Sequence, residues 1–175
     1  MTTLNPDALA IHDQNGKTLQ ELSQENPLLV VFLRHNGCTF CREALADLSQ
    51  KRAAIEESGA KIALIHMGRD DQAAGFFAKY GLDDVSRFSD PERILYRAFD
   101  LKRGSFRQLF GWKVLKRGFQ AAVFEGRGVG KPVGNGFQMP GAFLLHQGEI
   151  IKEFRHQSAA DRPDYQEMSS CKPFS

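Results

Sequence analysis

The chain has 175 residues, a net charge of +2, 42% hydrophobic residues and 25% charged ones, which excludes a disordered polyelectrolyte and points to an ordinary globular protein. Three cysteines are too few for a disulfide scaffold. No run approaches the ~20 apolar residues of a membrane-spanning helix, so one domain over residues 1–175, with chain enough for a real core, is expected.

The start, MTTLNPDALAIHDQ, shows no basic segment followed by an apolar one, so no signal peptide is read and the expected compartment is the reducing cytoplasm. "PLLVVFLRH" (Pro27–His35) and "AKIALIHM" (Ala60–Met67) are short apolar runs rich in β-branched residues, the pattern of strands buried on both faces. Between them, Cys38 to Ser58 predicts a helix, because Cys41, Leu45, Leu48 and Ile55 fall on one face. Gly59 stands just past its end. Strand, helix, strand makes a βαβ unit.

A second helix is predicted over Asp70–Tyr80, with Ala73, Phe76, Phe77 and Tyr80 as its apolar stripe. "SRFSDPE" predicts a short strand and a turn at Asp90-Pro91, and "ERILYRAF" one or two more helical turns. "GAFLLH" and "EIIKEFRH" flank Gln147-Gly148, a two-residue hairpin signal. From Ser158 the tail is polar and contains Pro163, which predicts a short helix or partial disorder.

Leu101 to Gly136 fits this pattern least. It opens with "LKRGSFRQLFGWKVLKRGF", which has six Lys or Arg and no acid, and continues with the glycine-rich "EGRGVGKPVGNGFQ". It reads as a basic, Gly-rich insertion before the final hairpin. Its aromatics Phe106, Phe110, Trp112 and Phe119 are expected to pack on the core. "GRGVGK" is not a phosphate loop, since Glu125 stands at the first glycine position and Pro132 follows the lysine.

The chemistry centres on "RHNGCTFC". Cys38 stands where the helix begins and Cys41 one turn in, on the apolar stripe. The expectation is an exposed Cys38 thiolate, stabilised at the positive end of the helix, and a covered Cys41 that attacks a disulfide formed at Cys38. Arg34, His35 and Arg42 stand near in sequence to lower the thiolate pKa, and Thr39 is a further supporting residue. A zinc clamp is the rival reading, but zinc takes four ligands. The remaining candidates are His35, Cys171, His66, His146 and His156, none paired at metal spacing. No metal and no cofactor is expected. Cys171 reads as a tail cysteine without function, and His66 as a hydrogen-bonded core residue.

The segments "RHNGCTFCREALADLS" and Asn135-Gly136-Phe137-Gln138 through Tyr165 resemble the thioredoxin-like superfamily. Within it they are most similar to the peroxiredoxin-like (AhpC/TSA-type) proteins related to selenoprotein L and the prostamide/prostaglandin F synthase group. The resemblance spans about Leu9 to Tyr165. It implies an α/β thioredoxin-like fold, a central mixed β-sheet flanked by helices, and a thiol-based antioxidant or oxidoreductase activity. The implied partners are a peroxide or disulfide substrate and a thiol electron donor (thioredoxin, glutaredoxin or glutathione), with no nucleic acid and no membrane.

The resemblance also implies a cis bond at Met139-Pro140, just before the strand that passes beside the cysteines, because Gly148 follows Pro140 at the offset of the family's glycine turn. Both residues then form a wall of the site, with the Met139 backbone open to a partner peptide or glutathione. Two departures stand out. Phe32 occupies the place of the thioredoxins' buried acid. Aligning the peroxiredoxin motif PxxxTxxC on Cys41 puts Arg34 at its proline and Cys38 at its threonine. The first nucleophile is therefore Cys38 by one parent and Cys41 by the other, and exposure favours Cys38. A non-catalytic redox-sensing or metal-binding module acting through a partner protein is the alternative function.

Overall fold

The structure is a computed structural model that describes residues 2–34, 38–105 and 137–170. His35, Cys171 and the body of the basic insertion, including Phe106, Phe110, Trp112, Phe119 and the GRGVGK stretch, lie outside the described residues.

In chain order the elements are β1 (Thr2–Thr3), α1 (Pro6–Leu9), α2 (Leu19–Glu25), β2 (Leu28–Phe32), α3 (Thr39–Glu57), β3 (Lys61–His66) and α4 (Asp70–Ala78). They continue with β4 (Ser86–Ser89), α5 (Ile94–Ala98), β5 (Gly141–His146), β6 (Glu149–Arg155) and α6 (Tyr165–Ser169). The strands form one mixed sheet in the order β1-β6-β5-β2-β3-β4. β2, β3 and β4 are parallel, while β5 runs antiparallel to β2, with Phe32 opposite Gly141.

Every residue of β2 is buried because the sheet is covered on both faces, and the pleat sends alternate side chains to opposite layers. Leu29 and Val31 join Leu45, Leu48 and Met168 on the face of α3 and α6. Leu28, Val30 and Phe32 join Leu19, Leu95, Tyr96 and Phe143 on the face of α2 and α5. The expected α/β architecture with helices on both faces is the one observed.

The βαβ unit, the short β4 and the hairpin stand where the sequence predicts them. Gln147 (φ 51°) and Gly148 (φ 79°) turn the hairpin with two successive left-handed residues, the geometry that matches strand twist. Gly59, at φ 89°, closes α3. Tyr80 lies beyond α4, in the turn that follows it. The tail forms the short α6, capped by Asp164, whose side chain accepts the N–H groups of Gln166 and Glu167.

β1, α1 and α2 were not foreseen. Yet α2 carries a readable signal: Thr18 and Glu21 form a reciprocal capping box. Among the described residues no helix is long and apolar enough to cross a membrane.

Candidate functional site

The site lies at the carboxyl end of β2, where the chain leaves the sheet and enters α3. Leu33 N–H still donates to Ile65 O at 2.9 Å, and Tyr96 Oη, reaching across from α5, donates to Leu33 O and to Ile65 O. The strand end is thus pinned before the cysteines. Cys38 is the N-cap of α3, with no side-chain cap hydrogen bond. Its carbonyl accepts from Cys41 N at 3.1 Å and Arg42 N at 3.2 Å, and this turn sets the two cysteines on one side.

Arg34 touches both sulfurs. Its backbone N–H donates to Cys41 Sγ at 3.2 Å, and Nη1 lies 3.5 Å from Cys38 Sγ. Cys38 and Cys41 are both thiols, with no disulfide between them. The Cys41 thiol donates to the Cys38 sulfur and brings its pKa down to about 6 against the opposing effect of burial; Arg34 and the N–H groups of Cys41 and Phe40 add to the shift.

The expected exposure of Cys38 is corrected. It is 5% exposed and Cys41 4%. The Arg34 side chain, itself only 6% exposed, places its guanidinium against the Cys38 sulfur. The helix terminus still favours the thiolate, as expected, but inside the protein and not at the surface.

A narrow cleft of about 370 Å³, counted with its mouth, reaches the Cys41 side of this pair. Cys41 lines it, together with Arg34, Phe40, Pro140, His156 and Tyr165. On its rim the buried Glu43 carboxylate accepts from Arg162, tying the segment before α6 to α3. Burial drives His156 down to about 4, so it is neutral at physiological pH. Sequence reasoning missed Glu43 and Arg162 and weighed His156 only as a metal ligand; their place at the cleft depends on the tail crossing α3, and no spacing signal announces that crossing.

The supporting residues divide. Thr39 is buried in the first turn of α3. Arg42 places its guanidinium over the Phe76 ring of α4, 6.0 Å from the centroid, so Arg34 carries the electrostatic part. Pro140 lines the cleft as expected, but its bond to Met139 is trans, as is every peptide bond among the described residues.

The physical reason for that second correction is the pairing of the flanking backbone. Met139 N–H donates to Lys102 O at 3.2 Å, and Pro140 O accepts from His156 N at 3.4 Å. Met139 is buried against Ala159, Ala160 and Phe40. The chain thus runs straight into β5, and no Met139 N–H is left open for a peptide.

His66 is a core residue, as expected; its backbone oxygen accepts from Asp90 N at 2.7 Å, while its ring makes no hydrogen bond, Nε2 lying 3.7 Å from Asp70 Oδ1. Burial holds the His66 pKa down at about 4. Among the described residues no group of three or more His, Cys, Asp and Glu side chains is set to hold a metal.

Comparison with known proteins agrees with this architecture. A family model described as AhpC/TSA antioxidant enzyme matches residues 47–158, more than half of the chain, beginning just after the two cysteines. The chain is 26% identical over 150 residues to Peroxiredoxin-like 2A of Mus musculus, covering 82% of this chain and 64% of that protein. It is 28% identical over 85 residues to the prostamide/prostaglandin F synthase of Salmo salar, covering 49% and 42%. It therefore spans less than two thirds of these relatives' length. Among solved structures, peroxiredoxin Q of Xanthomonas campestris superposes with a TM-score of 0.62 at 20% identity, over 87% of this chain and 84% of that one, so the two share a thioredoxin-like fold.

Proposed function

Since the chain belongs to the AhpC/TSA antioxidant enzyme family, we propose that it is a thiol-based oxidoreductase in which Cys38 and Cys41 cycle between dithiol and disulfide while reducing peroxides or disulfides. The observation that carries this reading is the placing of Arg34 against both sulfurs, its guanidinium 3.5 Å from Cys38 and its N–H on Cys41. The Cys41 thiol and this arginine together bring the Cys38 pKa down to about 6. At neutral pH Cys38 is mostly thiolate, the reactive form.

With a hydroperoxide, the Cys38 thiolate attacks the terminal oxygen. An S–O bond forms, the O–O bond breaks, and the leaving alkoxide takes a proton from water. The Cys41 sulfur then displaces water from the Cys38 sulfenic acid, closing the disulfide. With a disulfide substrate, Cys38 forms a mixed disulfide that Cys41 resolves. An external thiol donor, with thioredoxin, glutaredoxin or two molecules of glutathione as candidates, restores the pair by taking up its two oxidising equivalents as a disulfide. The compartment proposed with this chemistry is the reducing cytoplasm, and the activity is assigned to one domain.

One observation favours the reverse order: Cys41 rather than Cys38 lines the cleft, so a substrate entering there meets Cys41 first. A single experiment addresses both. Peroxide and disulfide reduction driven by dithiothreitol is measured for the wild type, Cys38→Ser and Cys41→Ser, with mass spectrometry of each protein after one equivalent of oxidant. Loss of the first turnover in Cys38→Ser, with a trapped sulfenic acid or mixed disulfide on Cys38 in Cys41→Ser, supports the proposal. The opposite pattern reverses the roles. Stoichiometric zinc with both thiols protected supports the non-catalytic alternative.

A further inference from the structure

The basic segment leaves and rejoins the described chain through a paired root. Arg103 and Gln138 form an antiparallel bridge, Gly104 N–H donates to Phe137 O at 2.7 Å, and the buried Gln138 Nε2 donates to Leu101 O at 2.8 Å. Together with α5 this root encloses an open hollow of about 770 Å³, counted with its mouth. Among the described residues, Arg93, Arg97, Lys102 and Arg103 line it against a single carboxylate, Asp100, in a chain whose net charge is only +2. Lys102 and Asp100 approach to only 3.9 Å and both are largely exposed, so their pairing is weak.

Two further observations mark the same place. Of the three non-glycine residues with positive φ among the described residues, two, Arg93 (φ 60°) and Asp100 (φ 52°), stand on this rim. For arginine that backbone is unfavourable, and such conformations collect where function holds them. The large hydrophobic side chains exposed among the described residues, Ile94 and Phe137, also flank the hollow. The Arg103 guanidinium lies 5.8 Å from the centre of the Phe137 ring. Arginine and apolar side chains inside a charged rim is the composition of a protein interface.

The hollow is close to the redox pair but not on it. Leu101 packs so tightly on Gly141 that a Cβ there would lie 2.8 Å from Leu101 Cδ2, and the neighbouring Pro140 lines the cleft beside Cys41. Leu101 belongs to the core on the α5 face and Cys41 to the core on the α3 face. Hollow and cleft therefore lie at one end of the β2–β5 pair, on opposite faces. A small anion held in the hollow has the sheet between it and the sulfurs, whereas a protein docked there can span the sheet's end.

We propose that this hollow docks an acidic protein that carries a reducing dithiol to the oxidised Cys38–Cys41 pair, a surface whose use rests on the redox reading above. A thiolate of the partner attacks one sulfur of the pair, forming a mixed disulfide and releasing the other as thiolate. The partner's second thiol gives up its proton, displaces the remaining sulfur and closes the partner's own disulfide. The pair leaves reduced by two electrons, and the partner oxidised by two. Steering by the cations raises the encounter rate and makes it sensitive to salt.

The test compares wild type with the double variant Arg97→Glu/Arg103→Glu and its milder Gln/Gln counterpart. Each is driven by dithiothreitol or by a thioredoxin of net negative charge, at low and high ionic strength. Binding of that thioredoxin to the reduced protein is followed by calorimetry. The expected result is an unchanged dithiothreitol-driven rate, a fall in thioredoxin-driven kcat/KM of roughly tenfold or more in Glu/Glu with a smaller one in Gln/Gln, and a salt dependence that flattens with it. Unaltered thioredoxin-driven turnover and binding in the variants overturns the proposal. So does wild-type turnover with dithiothreitol but neither turnover nor binding with the acidic thioredoxin, or saturable phosphate or glutathione binding at these arginines in its place. Absence of dithiothreitol-driven turnover in the wild type is a failure of the redox reading instead, and calorimetry then still reports docking.

Discussion

The Arg34 guanidinium lies 3.5 Å from the Cys38 sulfur, and both residues are buried. A cation in that position matters more than one at the surface, because little water screens it. Alkylation of Cys38 in the reduced protein is expected to rise through a midpoint near 6, the value to which Cys41 and Arg34 bring it, and to level off above neutrality. Arg34→Ala should move that midpoint upward and slow alkylation at pH 7 on the order of three- to tenfold, with Arg34→Lys partly restoring it. An unshifted midpoint in Arg34→Ala assigns the activation to the Cys41 thiol and the helix turn without Arg34.

The sign of the linked stability follows from the same shift. A thiol depressed to about 6 when folded is protonated only in the unfolded chain between there and its ordinary value, so the reduced protein should gain stability as pH rises through that window. Denaturant titrations of the wild type and Cys38→Ser across pH 6 to 9 check this; the variant should lack the increment.

Arg162 and Glu43 form the tie between the tail and α3, with the Glu43 side chain only 3% exposed. Removing the cation leaves a buried carboxylate, which costs about 3–5 kcal/mol when such a pair is broken. Arg162→Ala should therefore lower the denaturation midpoint markedly, while Arg162→Met/Glu43→Leu should recover much of the loss. Equal losses in the single and double variants speak against a desolvated pair.

His66 and His156 are each held near 4 by burial. Asp70 opposes that effect at His66 and Asp161 at His156, while Arg87 and Arg162 reinforce it. Folded histidine stays neutral where unfolded histidine binds a proton, so stability should fall as pH drops from about 6.5 toward 4. His66→Asn should flatten that slope by roughly one proton, read from denaturation midpoints at closely spaced pH.

Tyr96 donates from α5 to Leu33 O and Ile65 O. Tyr96→Phe should cost about 1–2 kcal/mol and, by loosening the strand end, speed hydrogen exchange at Leu33, whose N–H donates to Ile65 O. Exchange as slow as in the wild type would assign the pinning to the sheet alone.

Sequence by itself determined what periodicity and local chemistry can encode. β2, α3 and β3 follow from two apolar runs around a 3.6-residue stripe. The Gln147-Gly148 hairpin follows from turn chemistry, and the placing of Cys38 at a helix start from the end of an apolar run. Even α2 was legible in Thr18 and Glu21, because a capping box is local.

Tertiary structure alone decided what surrounds the sulfurs. Cys38 is buried with the Arg34 guanidinium against its sulfur, a contact that residue spacing does not announce. Pro140 is trans because Lys102 and His156 pair the backbone on either side of it, partners 38 and 16 residues away by number. Glu43 and Arg162, 119 residues apart, meet only because α6 returns across α3. Burial and long-range pairing depend on which segments the fold brings together, and no local pattern records that.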